Sequence, residues 1–295
     1  MIKYLISSLI LLSLITSCEK NIQIDLDYED KLVVNAFLND DNGIELKLTK
    51  SLNPQGEYPK PLNNFINDAT VELYENKNLI AVLQNNGEGI YNLSDANEDF
   101  IPTAGNQYQI KIYHNKYPGV ESNEITYPEK PVVSEFLNYL DTTFKMFGNL
   151  NQIFEFKLQF EENKTSYFNY KVLKDDEPLY YFADVSQNNL QINKPCYFTQ
   201  NNNSFLSTQC LQNNSFIKYY FDYIYNDDSD YQFIIRSINQ DFFKYLANNP
   251  SDQFDNTVID AFMAGSNKKP NYFNIKNGYG IFYASRTTII NFKTN

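Results

Sequence analysis

Cys18 is the residue whose neighbours most narrowly define a chemistry, because it closes the tetrad Ile15-Thr16-Ser17-Cys18. An aliphatic residue, two small residues and a cysteine, in that order, are what bacterial lipoprotein processing requires. The thiol accepts a diacylglycerol, and small side chains beside the scissile bond admit the signal peptidase. Upstream, one positive charge at Lys3 precedes an apolar run over residues 4–15, the layout of a secretory signal. That run is too short to cross a ~30 Å hydrocarbon core, which takes about 20 apolar residues in a helix. Residues 1–17 therefore read as a removable export signal and Cys18 as the lipidated first residue of the mature chain. Two or three acyl chains at ~0.8 kcal/mol per buried methylene make a stable anchor, where one chain would hold only marginally.

The other two cysteines, Cys196 and Cys210, read as a disulfide, the simplest fate of a closely spaced pair in an exported chain. A loop of about 15 residues contributes ~3 kcal/mol in the chain-entropy model. With one histidine in the chain, His114, they cannot complete a four-ligand zinc site by themselves.

Other chemistries lack parts. A Ser-His-acid triad would have to use His114, which falls at the end of an alternating strand pattern and reads as a strand-end residue. There is no Gly-x-Ser-x-Gly elbow. Ser215-Phe216-Ile217-Lys218 has Ser-x-x-Lys spacing but runs into a predicted strand, where a separation of three sends the two side chains to opposite faces. Gly278-Tyr279-Gly280 has Tyr283 where a dinucleotide fingerprint needs its third glycine, and reads as a turn. Asp40-Asp41-Asn42-Gly43 and Asp227-Asp228-Ser229-Asp230 offer oxygen ligands without the spaced calcium-loop pattern, and turns favour these residues anyway. Tyr219, Tyr220, Tyr223 and Tyr225 could stack on a glycan or peptide, although alternation would bury one set. Carboxylates are plentiful, and sequence spacing does not decide whether any two converge as a glycosidase pair. No catalytic, cofactor or metal residue is assigned.

Removing Lys3 with the signal leaves 23 of the 24 basic residues against 36 acidic ones, a mature net charge of −13 that repels nucleic acid. The 24 Tyr and 23 Phe suit a strand-rich protein.

The elements that must position these residues are strands. After a tether over residues 18–30, Ile44, Leu46 and Leu48 alternate with Glu45, Lys47 and Thr49, and Tyr108, Ile110 and Ile112 with Gln109 and Lys111. Further strands are predicted at 31–38, 69–75, 79–84, 89–93 and 120–127, with turns at Asn42-Gly43, Asn76-Lys77-Asn78, Asn86-Gly87 and Ala104-Gly105-Asn106. That density of short strands predicts an immunoglobulin-like or fibronectin-like β-sandwich over residues 31–128. Tyr127-Pro128-Glu129-Lys130-Pro131 breaks the ladder and marks a domain boundary. A second β-rich domain, 129–295, opens with alternating Phe154, Phe156, Leu158 and Phe160. It continues with strands at 167–173, 179–184, 217–225, 231–238 and 275–292. One short helix follows Asn239, its predicted cap, with Phe242, Tyr245 and Leu246 on one face and Pro250 beyond its end.

Ile24-Asp25-Leu26-Asp27, residues 31–38, residues 68–75, the strand over 105–113 and residues 277–282 occur in the order found in a Bacteroidetes lipoprotein family catalogued as a domain of unknown function (DUF4249-like). The chain resembles that family over nearly all its mature length. The resemblance implies an outer-membrane lipoprotein with an immunoglobulin-like first domain, often encoded beside a TonB-dependent receptor, and it supplies no catalytic residues. Residues 19–22, Glu-Lys-Asn-Ile, are less acidic than many surface-export tracts of this group, which leaves the cell surface and the periplasmic leaflet both open.

The expectation is a non-enzymatic binding or accessory component of a TonB-dependent uptake complex, anchored at Cys18 and handling a peptide or glycan cargo. Two alternatives stay open: a lipid-anchored hydrolase using unidentified carboxylates, and a structural or adhesion protein of the envelope.

Overall fold

The computed structural model describes residues 28–41, 43–53, 63–93, 100–146, 149–161, 164–178, 182–184, 197–200, 203–210, 216–222, 229–248 and 272–293. Within these it gives backbone only for 138–146, 149–154, 182–184, 197–200, 210 and 216–222. The fold is mainly β with one short α-helix among the described residues.

The first half carries β1 (Leu32–Asn39), β2 (Gly43–Lys50), β3 (Thr70–Glu75), β4 (Asn78–Asn85), β5 (Ile90–Asn92), β6 (Gln107–Tyr113), β7 (Val120–Ser122) and β8 (Ile125–Thr126). Alternation explains them: Leu32, Val34, Ala36 and Leu38 are buried while Val33, Asn35 and Phe37 are less so. Strand β4 pairs with β5 at Gln84–Asn85 and with β3 along most of its length, so the sheet folds over at β4. The inward residues of β1, β2 and β5 then meet Val71, Leu73, Tyr108, Ile110 and Ile112 in one core, a sandwich. Fully burying a side chain of this kind contributes ~1.5–3 kcal/mol. The expected strand over 120–127 is two short pieces, β7 on β6 and β8 on β6, broken at Asn123-Glu124.

The second half carries β9 (Val132–Met146), β10 (Asn149–Gln159), β11 (Tyr167–Lys174), β12 (Glu177–Pro178), β13 (Phe182–Asp184), β14 (Tyr197–Gln200), β15 (Asn203–Ser207), β16 (Phe216–Asp222) and β17 (Tyr231–Ile238). Helix α1 (Gln240–Asn248), β18 (Ile275–Lys276) and β19 (Tyr279–Phe292) follow. A four-stranded sheet ordered β13-β16-β10-β9 lies over β11, β15, β17 and the end of β19. Phe156 and Leu158 of the upper layer pack with Phe168, Tyr170, Val172 and Phe233 below. Strand β9 was not anticipated, because Val132-Val133-Ser134-Glu135-Phe136-Leu137 lacks strict alternation; it forms as the antiparallel partner of β10.

Both halves belong to one 15-stranded sheet, and β19 is the hinge pin of that arrangement. Tyr279–Ala284 pair in parallel with Val33–Leu38 of β1, and Ser285–Phe292 pair antiparallel with Tyr231–Ile238 of β17. β18 pairs with β7. Residues 275–284 are thus built into the first sandwich, although the sequence reading placed them in a C-terminal domain over 129–295. Long-range backbone pairing, invisible to local pattern, decides this.

Helix α1 lies on the opposite face of the large sheet from the β10 layer. Its Phe243, Tyr245 and Leu246 are buried with Phe205, Ile238 and Ile281, and Phe242 stacks on Tyr283 at 4.0 Å between ring centroids. No helix among the described residues is long and apolar enough to cross a membrane.

Candidate functional site

Where the linker leaves the first sandwich, Tyr127 is fully buried and its hydroxyl donates to Asp40 Oδ1 at 2.7 Å. Arg286 of β19 donates from Nε to Asp40 Oδ2 at 3.0 Å, and its guanidinium lies 5.7 Å from the Tyr127 ring centroid. Burial, reinforced by the Asp40 hydrogen bond, pushes the Tyr127 phenol well above its ordinary pKa. One carboxylate thereby ties the β1–β2 turn, the linker and the closing strand together. Thr288 adds a hydrogen bond from Oγ1 to the Pro131 carbonyl at 2.7 Å.

A second polar bracket fixes the start of α1. Asn274 reads β19 like a strand partner: its Oδ1 accepts the Phe282 amide at 2.8 Å and its Nδ2 donates to the Phe282 carbonyl at 2.7 Å. The same Nδ2 lies 3.0 Å from Asp241 Oδ2, and Tyr272 donates to Asp241 Oδ1 at 2.5 Å. Asn239 holds the N-cap position that the sequence predicts, its carbonyl accepting the Phe243 amide at 3.2 Å, but its side-chain oxygen accepts the Ala284 amide at 3.0 Å and so serves the strand edge.

Between these brackets opens a cleft of about 690 Å³, lined by residues 124–132 on one side and by 159–161, 164–168, Gln209 and 237–241 on the other. Ile125, Tyr127, Pro131, Phe168, Ser237, Ile238 and Asn239 are buried in its walls, and charged side chains including Glu124, Glu129, Lys130, Glu161 and Lys164 stand exposed around it. Two hydroxyls are held by glutamines: Gln240 Nε2 donates to Tyr167 Oη at 2.9 Å, and Gln209 Nε2 donates to Thr165 Oγ1 at 3.1 Å. Desolvation raises the Tyr167 pKa against the opposing effect of the Gln240 bond, so the phenol stays protonated at neutral pH. The volume is in the range of small-ligand sites, which favour junctions such as this one.

The residues singled out by sequence do not gather in this cleft. His114 follows β6 with its side chain only 3% exposed; Nε2 lies 2.9 Å from Asp68 Oδ1, and Nδ1 accepts the Lys116 amide at 3.0 Å. Because Nδ1 accepts, Nε2 carries the proton, and both nitrogens are engaged in holding a turn. Hydrogen bonding from His114 holds the Asp68 carboxyl below its ordinary pKa. Asp40 is committed to Tyr127 and Arg286, and the Asp41 amide to Asn39 Oδ1 at 2.8 Å. Asp230 meets Lys293 at 3.4 Å on the surface. Gly278 and Gly280 form the turn into β19 that the sequence predicts, and Tyr283 stacks on Phe37 with centroids 4.7 Å apart. Cys18, Cys196, Ser215, Tyr223, Tyr225, Asp227 and Asp228 lie outside the described residues, as do the side chains of Cys210, Lys218, Tyr219 and Tyr220.

Sequence reasoning missed Asp40, Tyr127 and Arg286 as a set, and Asn239 with Asn274. Asp40 and Arg286 are separated by 246 positions, so no local spacing announces them. The prolines at 128 and 131 were the one available signal that a junction forms here.

A two-layer β-protein whose closing strand joins both halves and whose linker walls a cleft is the class that fold and site define. Within it, the chain belongs to the family described as Domain of unknown function (DUF4249), whose model matches residues 19–290. No curated protein matches the sequence. Among solved structures, the chain is similar to a β-glucuronidase from Parabacteroides merdae at 10% identity and a TM-score of 0.22, over 70% of this chain and 24% of that one. The chain thus spans about a quarter of that enzyme's length, and a likeness this slight carries no argument about function.

Proposed function

We propose that the chain is an outer-membrane lipoprotein, anchored through Cys18, that serves a TonB-dependent receptor as a non-enzymatic binding or accessory component in nutrient uptake. The observation that carries this reading is the processing tetrad ending at Cys18, set just ahead of a β-fold whose first strand opens at Leu32. Chain geometry supports it: the residues from Cys18 to Leu32 span at most about 50 Å when fully extended. Anything bound to the sandwiches is therefore held close to the membrane, and tethering raises effective concentration enough for a modest interface to suffice. The sequence resemblance is what points to such a receptor as the neighbour. The contact is assigned to the part of the chain after residue 128, burying about 1,200–2,000 Å² around Tyr or Phe anchors.

The test has two readouts. Mass spectrometry of the mature amino terminus should find a lipid-modified Cys18, and Cys18→Ala should accumulate unprocessed precursor. Crosslinking in intact membranes should recover a TonB-dependent receptor through residues beyond 128. An unmodified terminus refutes the anchor, and recovery of the protein alone, or contacts confined to residues 31–127, refutes the partner arrangement.

A further inference from the structure

We infer that the junction cleft binds a short neutral oligosaccharide, an inference that rests on the reading of the chain as a binding component and names what it binds. The argument starts from the walls. Pro128 and Pro131 have no amide hydrogen, so neither edge of the 128–131 stretch presents the two successive donors that would zip an extended peptide onto it. Recognition falls to side chains.

Those side chains are of one kind. Tyr167 and Thr165 each accept a hydrogen bond from a glutamine, at 2.9 and 3.1 Å, which leaves the hydroxyl's own proton to donate. No described residue takes either proton. Carboxylates that only accept line the same cleft, Glu129 on the linker wall and Glu161 on the wall of the donors, so a ligand must offer acceptor and donor groups together. Lys130 and Lys164 share the cleft with four acids, Glu124, Glu129, Glu161 and Asp241, and this excess of negative charge excludes an anionic ligand. A compact ligand without negative charge that carries both donors and acceptors, read by hydroxyls and carboxylates and not by main chain, is a sugar. About 690 Å³ is room for a short oligomer.

Detergent-solubilised full-length protein should be applied to an array of neutral oligosaccharides with tetra-alanine as the peptide probe, and hits measured by calorimetry. At least one neutral oligosaccharide should bind. Tyr167→Phe and Thr165→Val, each of which keeps the packing and removes one donor, should weaken that affinity about fivefold each, the ordinary worth of one uncharged hydrogen bond. An unchanged melting temperature would show that Tyr167→Phe remains folded. Binding of tetra-alanine in preference to every sugar, no sugar binding at all, or affinity indifferent to both substitutions would overturn the proposal. Because this assay needs neither acylation nor receptor, its failure is separable from that of the anchoring and partner reading, which amino-terminal mass and crosslinking decide.

Discussion

Gly280 is where a single methyl group should separate the two halves of the molecule. It sits at the start of β19 with φ +112°, opposite Val34 of β1, and a Cβ built there would lie 1.8 Å from the Val34 carbonyl oxygen. Real Cβ atoms do not approach closer than 3.0 Å, so Gly280→Ala forces the strands apart by about 1.2 Å at this point. Neighbouring N–H···O contacts near 2.9 Å would then stretch to ~4 Å, beyond hydrogen bonding. Losing one or two such bonds costs about 0.5–1.5 kcal/mol each, and placing an L-residue at this φ costs about 1–3 kcal/mol. The sum, roughly 2–5 kcal/mol, is a large fraction of the stability of an ordinary domain. Gly87→Ala is the control: its φ is +93° but nothing lies within 4 Å, so it carries the backbone strain without the clash. In urea, Gly280→Ala should lower the unfolding midpoint by about 1 M for a slope near 3 kcal/mol/M, and Gly87→Ala, which carries the strain alone, by roughly half to two-thirds of that. Hydrogen exchange should accelerate selectively in β1 and the first half of β19. Equal midpoint shifts for the two variants would refute the claim that close approach, and not φ alone, requires Gly280.

Other outcomes follow from the same structure. Asp40→Ala leaves Arg286 and Tyr127 without their shared acceptor in a site where the Asp40 and Arg286 side chains are 27% and 22% exposed; it should cost about 2–4 kcal/mol by denaturant titration, whereas a change below ~0.5 kcal/mol would mean the lock contributes nothing. Tyr108 and Tyr245 are raised to about 12, both mainly by burial, from an ordinary value of 10.0. A raised pKa stabilises the fold below pH 10 and that contribution is lost as pH climbs through 12, so absorbance at 295 nm should show these phenols ionising only as the protein unfolds in that window; smooth ionisation at pH 10 in a folded protein would contradict it. For Asp68, held below 3.8 by His114, the sign reverses: its contribution is present above that pH and fades in stronger acid, which an NMR titration of the carboxyl can follow. A non-reducing digest should yield a Cys196–Cys210 linked peptide, and free thiols at both positions would dismiss the disulfide.

Local pattern carried much of this protein. The alternation of Ile44, Leu46 and Leu48, and of Tyr108, Ile110 and Ile112, set strands and their buried faces, because a side chain that must leave water every second residue permits little else. The helix after Asn239 was legible for the same reason at a different period, and the turn at Asn76-Lys77 matched residues at φ 48° and 70°. What the sequence could not show was partnership across distance. The parallel pairing of β1 with β19, the shared use of β19 by both halves, the Asp40–Tyr127–Arg286 lock and the bond from the Asn239 side chain to the strand edge each join residues far apart in the chain. So does the cleft, whose walls come from segments near residues 128, 165 and 240. Hydrophobic periodicity specifies which face of a strand is buried, but which strand lies beside it depends on the closure of long loops and on backbone groups common to every residue. The tetrad Ile15-Thr16-Ser17-Cys18, on which the proposed anchor rests, is written wholly in adjacent residues and needs no fold to be read, whereas the cleft exists only once β19 has brought the two halves of the chain into one sheet.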